Sequence, residues 1–99
     1  MADGFWLRFK GLMGRSGLDQ GEGLLLSPCN MVHMFFMQFP LDLIFLNQDM
    51  EILETVESLK PWRLSRLVKK SCQVLECPVG TISRNGISRG EKLELREMR

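Results

Sequence analysis

The stretch MVHMFFMQFPLDLIFLN, residues 31–47, decides how this chain folds. It holds four of the six phenylalanines and the only histidine, with Pro40 near its middle. Proline lacks an N–H and fixes φ, so it suits a turn better than a paired central strand. The apolar runs 32–38 and 42–46, on either side of 39–41, therefore predict a β-hairpin. In an extended chain, residues two apart share a face. Val32, Met34 and Phe36 then face one way, and His33, Phe35 and Met37 the other. A surface strand alternates apolar and polar, so this one is expected to be covered on both sides. Phe35, Phe36, Leu43, Ile44 and Phe45 are the expected core, each contributing roughly 1.5–3 kcal/mol when fully buried.

Working outward, the chain has 99 residues, enough for one domain with a modest core. Its 44% hydrophobic and 25% charged content is that of a globular protein, not a disordered one. A net charge of +1 creates no broad basic field, so a nucleic-acid partner is not expected. No apolar run approaches the roughly 20 residues that a membrane span needs. The start, MADGFWLRFKGLMGR, does not follow the secretory pattern of basic start, apolar core and small-residue cleavage site. Three cysteines, Cys29, Cys72 and Cys77, then fit reduced thiols in the cytoplasm.

Before the central stretch, apolar residues at 5, 6, 9, 12 and 13 predict an amphipathic helix, with Asp3 as N-cap and Gly14 as stop. Gly11 weakens it by about 1 kcal/mol relative to alanine. Residues 16–23 form a turn-rich loop, and Leu24, Leu25 and Leu26 a short strand closed by Ser27 and Pro28. After it, residues 47–49 read as a turn. In EILETVESL, residues 51–59, the spacing of Ile52, Leu53, Val56 and Leu59 fits a helix, whereas the preceding turn would return the chain beside residues 44–46 as a strand. Residues 60–63, KPWR, break that element, and four basic side chains follow closely at Arg63, Arg66, Lys69 and Lys70. A strand is expected over 72–77, then a short helix begun by Pro78 and ended at Asn85-Gly86. A turn at 88–90 leads to the alternating final strand KLELR, 92–96.

The possible chemistry is sparse. Cys29-x-x-x-His33 invites a zinc or thiol reading, but zinc needs about four ligands. A site would require Cys72 or Cys77 to converge on the pair, and a hydrogen-bonded histidine at the core is the preferred reading of His33. As a nucleophilic pair on one extended strand, Cys29 and His33 would stand about 13 Å apart. Cys72-x-x-x-x-Cys77 lacks redox spacing, so inert thiols are expected. Asp42 is either an acid partnered by Glu22 or, as we prefer, a carboxylate capping a turn through backbone N–H groups. Trp62 beside Arg63 is the best binding-surface candidate, able to stack on a sugar, peptide or aromatic group. The opposing reading makes Trp62 a lid over the end of the sheet. Arg66, Lys69 and Lys70 read as a solvated basic face. Phosphate-loop, dinucleotide, zinc-protease and nucleophile-elbow motifs do not occur in the sequence.

The segments GLMGR (11–15), GEGLLL (21–26), VHMFFM (32–37), FPLDLIFL (39–46), LKPWR (59–63) and VLECPVGTI (74–82) resemble the bacterial and archaeal family called domain of unknown function 192. The resemblance covers nearly the whole chain and implies an α+β fold: a small, mainly antiparallel, barrel-like β-sheet with one or two short helices. It implies a strand, not a helix, over 52–59. It carries no catalytic residues. Members often look exported and usually have an additional early strand, for which this N-terminus leaves little room. They also tend to have leucine where Cys77 stands and an acidic residue where Lys92 stands. The reading is thus a monomeric single domain, 1–99, without a cofactor. It is expected to be a non-catalytic module for a small ligand or protein partner, with contacts from His33, Asp42, Trp62 and Arg63. A small enzyme or metal-binding protein using His33, Asp42 and Cys29 is the alternative.

Overall fold

The computed structural model describes residues 3–12, 21–32 and 39–97. In chain order these form strands β1 (Asp3–Leu12), β2 (Gly21–Ser27), β3 (Leu41–Leu46), β4 (Ile52–Leu59) and β5 (Gln73–Pro78), helix α1 (Thr81–Asn85) and strand β6 (Leu93–Glu97). They make one six-stranded sheet in the order β4-β3-β5-β2-β1-β6, and each neighbouring pair is antiparallel. His33, Met34, Phe35, Phe36 and Met37 lie outside the described residues, so the first arm of the expected hairpin does too.

All six residues of β3 are buried, because β3 is covered on both faces. Leu41, Leu43 and Phe45 join Val74 and Val32 in one apolar cluster, against which Cys29, Val56, Leu59 and Val68 pack. Ile44 and Leu46 join Leu75, Cys77, Ile82, Ile87 and Leu93 in the other. The first face is roofed by chain outside the sheet. Residues 29–32 run beside 65–68, tied by Ser65 N–H to Val32 O at 2.7 Å and Val68 N–H to Asn30 O at 2.9 Å. The buried Ser65 hydroxyl also accepts from Val32 N–H at 2.8 Å.

β4 is a strand, as the resemblance implied, and its helix-like spacing has a cause. Leu41 pairs with Leu59 while Leu43 pairs with Val56, so β4 carries an extra residue between them. A second shift lies between Glu54 and Ile52. A bulge opposes two residues to one and breaks the period of two, which makes spacings of three look helical. Ser58, in the first bulge, has φ 53.

The helix expected over 5–13 is corrected within the described residues: 5–12 belong to β1, paired with β2 on one side and β6 on the other. Aromatic Phe5, Trp6 and Phe9 favour strands, and Gly4 and Gly11 cost a helix. A bulge between Phe9 and Gly11 disguised the alternation here as well. Residues 3–12 thus have room for an early strand after all. Pro78 ends β5 opposite Leu41 instead of opening the helix. The helix begins after Gly80, whose φ of 98 suits glycine. It ends at Gly86 (φ 60) as expected.

The expected turn at 47–49 forms around Asn47, whose Oδ1 accepts from Asp49 N–H at 2.9 Å and Glu51 N–H at 3.0 Å. Near it the edge strands approach: Glu51 bridges Lys92, and Leu93 N–H donates to Met50 O at 3.0 Å. That contact does not close the sheet, which is open rather than a completed barrel.

Candidate functional site

Asp42 lies on β3 with no exposed surface. Its side chain shares a face with Ile44 and Leu46, so strand geometry alone would bury a charge among apolar groups. Three backbone donors compensate. Oδ1 accepts from Ser58 N–H at 2.9 Å, and Oδ2 accepts from Gly80 N–H at 3.1 Å and Ile82 N–H at 3.0 Å. One carboxylate thus satisfies the bulge of β4 and the start of α1, which has no local side-chain cap. This is the preferred backbone-capping reading, extended across the sheet. Glu22, considered as its acidic partner, lies on β2, two strands from β3, and pairs there with Arg8 of β1. As a ligand contact Asp42 is displaced by this geometry, since its oxygens face the protein's own amides.

The loop after β4 behaves differently. Trp62 is 59% exposed, which removes the reading of it as a packed lid. Its φ is 66, in the left-handed region that a bulky side chain rarely occupies. Arg63 is exposed beside it, and its N–H donates to Lys60 O at 3.3 Å, closing the turn. The pairs Leu41–Leu59 and Leu41–Pro78 place Phe39, Trp62 and Val79 on chain leaving the same end of the sheet. Phe39 is 57% exposed and Val79 44%. Leu64 and Leu67 follow at 56% and 54%. The sequence reading named the Trp–Arg pair and the basic side chains but missed these exposed apolar residues. The sequence pattern gave Leu64 and Leu67 no side, and the burial of Ser65 shows which side of this segment faces the sheet.

The cysteines divide between the two faces. Cys77 is buried in the cluster with Ile44 and Leu75. Burial pushes its thiol far up, and the charges of Asp42 and Glu76 add to that. Cys29 packs on the opposite cluster. Burial raises its thiol, the Met31 carbonyl that accepts from its Sγ partly offsets this, and Glu76 raises it further. Cys29 N–H donates to Cys72 O at 2.9 Å, so these two meet although 43 positions separate them in the chain. Among the described residues, no three His, Cys, Asp or Glu side chains group to hold a metal. His33 lies outside those residues. No helix among the described residues is long and apolar enough to cross a membrane.

Comparison with known proteins agrees with this architecture. The family model for domain of unknown function 192, described as "Uncharacterized ACR", matches residues 1–95. A UPF0127 protein of Pyrococcus furiosus is 32% identical over 98% of this chain and 85% of its own length. Another, from Thermococcus sibiricus, is 30% identical over 95% of this chain, which spans 63% of that protein. A crystallised protein of unknown function from Novosphingobium aromaticivorans superposes with a TM-score of 0.66 at 30% identity, covering 86% of this chain and 65% of that one. With the motifs, the sheet and a family match over 95 of 99 residues in agreement, this chain belongs to the domain of unknown function 192 family.

Proposed function

We propose that the protein is a non-catalytic binding module that works as a monomeric single domain. Its contacts come from the sheet end carrying Trp62 and Arg63. The observation that supports this most is Trp62 itself, held exposed at φ 66 on a closed turn. Strained backbone and exposed aromatic surface cost stability, and both are concentrated where proteins bind. A stiff turn also lowers the entropy lost when the side chain is ordered by a partner. His33 remains in the proposed contact set. Asp42 does not, and serves instead to hold this end of the sheet in shape. The enzyme alternative loses its acid in the same step, because the oxygens of Asp42 already accept three amides.

The test uses a Trp6→Phe background, in which emission reports Trp62. Sugars, peptides and aromatic compounds are screened for a spectral shift, and urea unfolding is measured beside it. For a compound that shifts the emission, binding measured by calorimetry should be lost in Trp62→Ala, a substitution costing less than about 1 kcal/mol of stability, as exposed ones do. Silence towards every class would end this reading, and a stability loss of about 3 kcal/mol or more on Trp62→Ala would contradict the exposure of its ring.

A further inference from the structure

Residues 59–72, LKPWRLSRLVKKSC, carry five cations and no carboxylate, in a chain whose net charge is only +1. Lys60, Arg63, Arg66, Lys69 and Lys70 are all exposed. Between them stand Trp62, Leu64 and Leu67, each more than half exposed. Isolated exposed apolar residues are ordinary, and so is a basic stretch. Their interleaving on one fixed segment is not. The segment is held from behind: Ser65 is buried and bonded to Val32, and Val68 is bonded to Asn30. Met31, 45% exposed, sits between those two links and extends the apolar surface to the neighbouring chain. Glu54 on β4 is already paired with Arg66 at 3.2 Å and Arg89 at 3.4 Å.

We propose that this ridge docks on an anionic lipid surface, with Trp62, Leu64 and Leu67 entering the headgroup region and Lys60, Arg63, Lys69 and Lys70 meeting the lipid phosphates. The inference rests on the reading of the Trp62 end as the contact surface, and names its partner. Tryptophan is at home at the membrane–water boundary, where an apolar ring with a polar edge fits both sides. Lysine and arginine can lay their stems on apolar surface and keep their charges among headgroups. Interfacial binding needs apolar insertion and electrostatic attraction together, and this segment presents both. An acidic protein would answer the charges but leave three protruding apolar side chains without a matching surface of its own.

The full chain in the Trp6→Phe background is sedimented with two kinds of vesicle. One contains equal parts phosphatidylglycerol and phosphatidylcholine, the other phosphatidylcholine alone. Binding should occur to the anionic vesicles only, with Trp62 emission shifting to the blue. Lys69→Glu with Lys70→Glu should weaken it about tenfold or more, and circular dichroism should show the variant folded. About 1 M salt, where the Debye length is near 3 Å, should release the unsubstituted chain. Equal binding to both vesicles, or none to the anionic ones, overturns the proposal. If vesicles fail while poly-glutamate or a soluble compound shifts Trp62 emission, the lipid assignment falls and the binding module stands. Vesicle binding that leaves Trp62 emission unmoved and survives Trp62→Ala overturns both.

Discussion

Replacing Asp42 by alanine removes an acceptor that serves three backbone donors at once. They are Ser58 N–H, Gly80 N–H and Ile82 N–H, at 2.9, 3.1 and 3.0 Å. Hydrogen bonds to a charged group contribute roughly 1.5–3 kcal/mol each. The donors are not equally exposed. Ile82 is buried and its N–H would find no water, whereas Ser58 is exposed and Gly80 half-buried, so both could rehydrate. Counting Ile82 fully and the other two at about half gives a loss of about 3–6 kcal/mol. Removing the buried carboxylate also removes its desolvation cost, which favours the lower end. With a urea slope of about 1.5 kcal/mol per M, the midpoint should fall by roughly 2–3 M. Asp42→Asn keeps one oxygen, best placed on Gly80 and Ile82, but turns an amide NH2, itself a donor, towards the Ser58 N–H. Its loss should be smaller, about 1–2 kcal/mol. Urea unfolding followed by far-ultraviolet circular dichroism measures both. An alanine variant with an unchanged midpoint, or an asparagine variant as damaged as alanine, would refute the account of Asp42 as the clamp between β4 and α1.

Phe45→Ala should cost about 3–5 kcal/mol in the same assay, since Phe45 has no exposed surface; an unchanged midpoint would remove β3 from the core. Gly23→Ala should destabilise by about 2–3 kcal/mol, because its Cβ would lie 2.7 Å from the backbone oxygen of Glu76, which cannot move aside as a side chain could; a neutral melting temperature counts against the β2–β5 packing. With a thiol reagent near neutral pH, exposed Cys72 should react first, half-buried Cys29 slowly and Cys77 only on unfolding; rapid labelling of Cys77 would contradict its burial. The folded chain holds the Cys77 proton more tightly than the unfolded chain does. That stabilisation is complete below the ordinary thiol value of 9.0 and fades above it, as the unfolded chain ionises first. Relative to Cys77→Ala, wild-type stability should therefore fall above pH 9.0 by about 1.4 kcal/mol per pH unit, and parallel curves would disprove it.

What the sequence determined by itself was the part written in local chemistry. The apolar run 42–46 beyond Pro40 read as a strand with Leu43, Ile44 and Phe45 in the core, and β3 places all three there without exposed surface. Asn47 made a turn because its side chain bonds amides two and four residues on, and Gly86 ended the helix because it tolerates a left-handed backbone. Asp42 between apolar neighbours announced a carboxylate in need of backbone donors, although not which ones. Tertiary structure decided the rest. β1 read as a helix because an interior bulge broke its alternation, and its pairing with β2 and β6 spans distances that no local pattern records. The helical spacing in β4 came from bulges visible only against β3. Ser58, Gly80 and Ile82 converge on Asp42 from up to 40 positions away. Leu64 and Leu67 carry the same hydropathy as buried leucines, and the sequence could not show them facing outward. Their exposure follows from which side chain, Ser65, the folded chain turned towards the sheet.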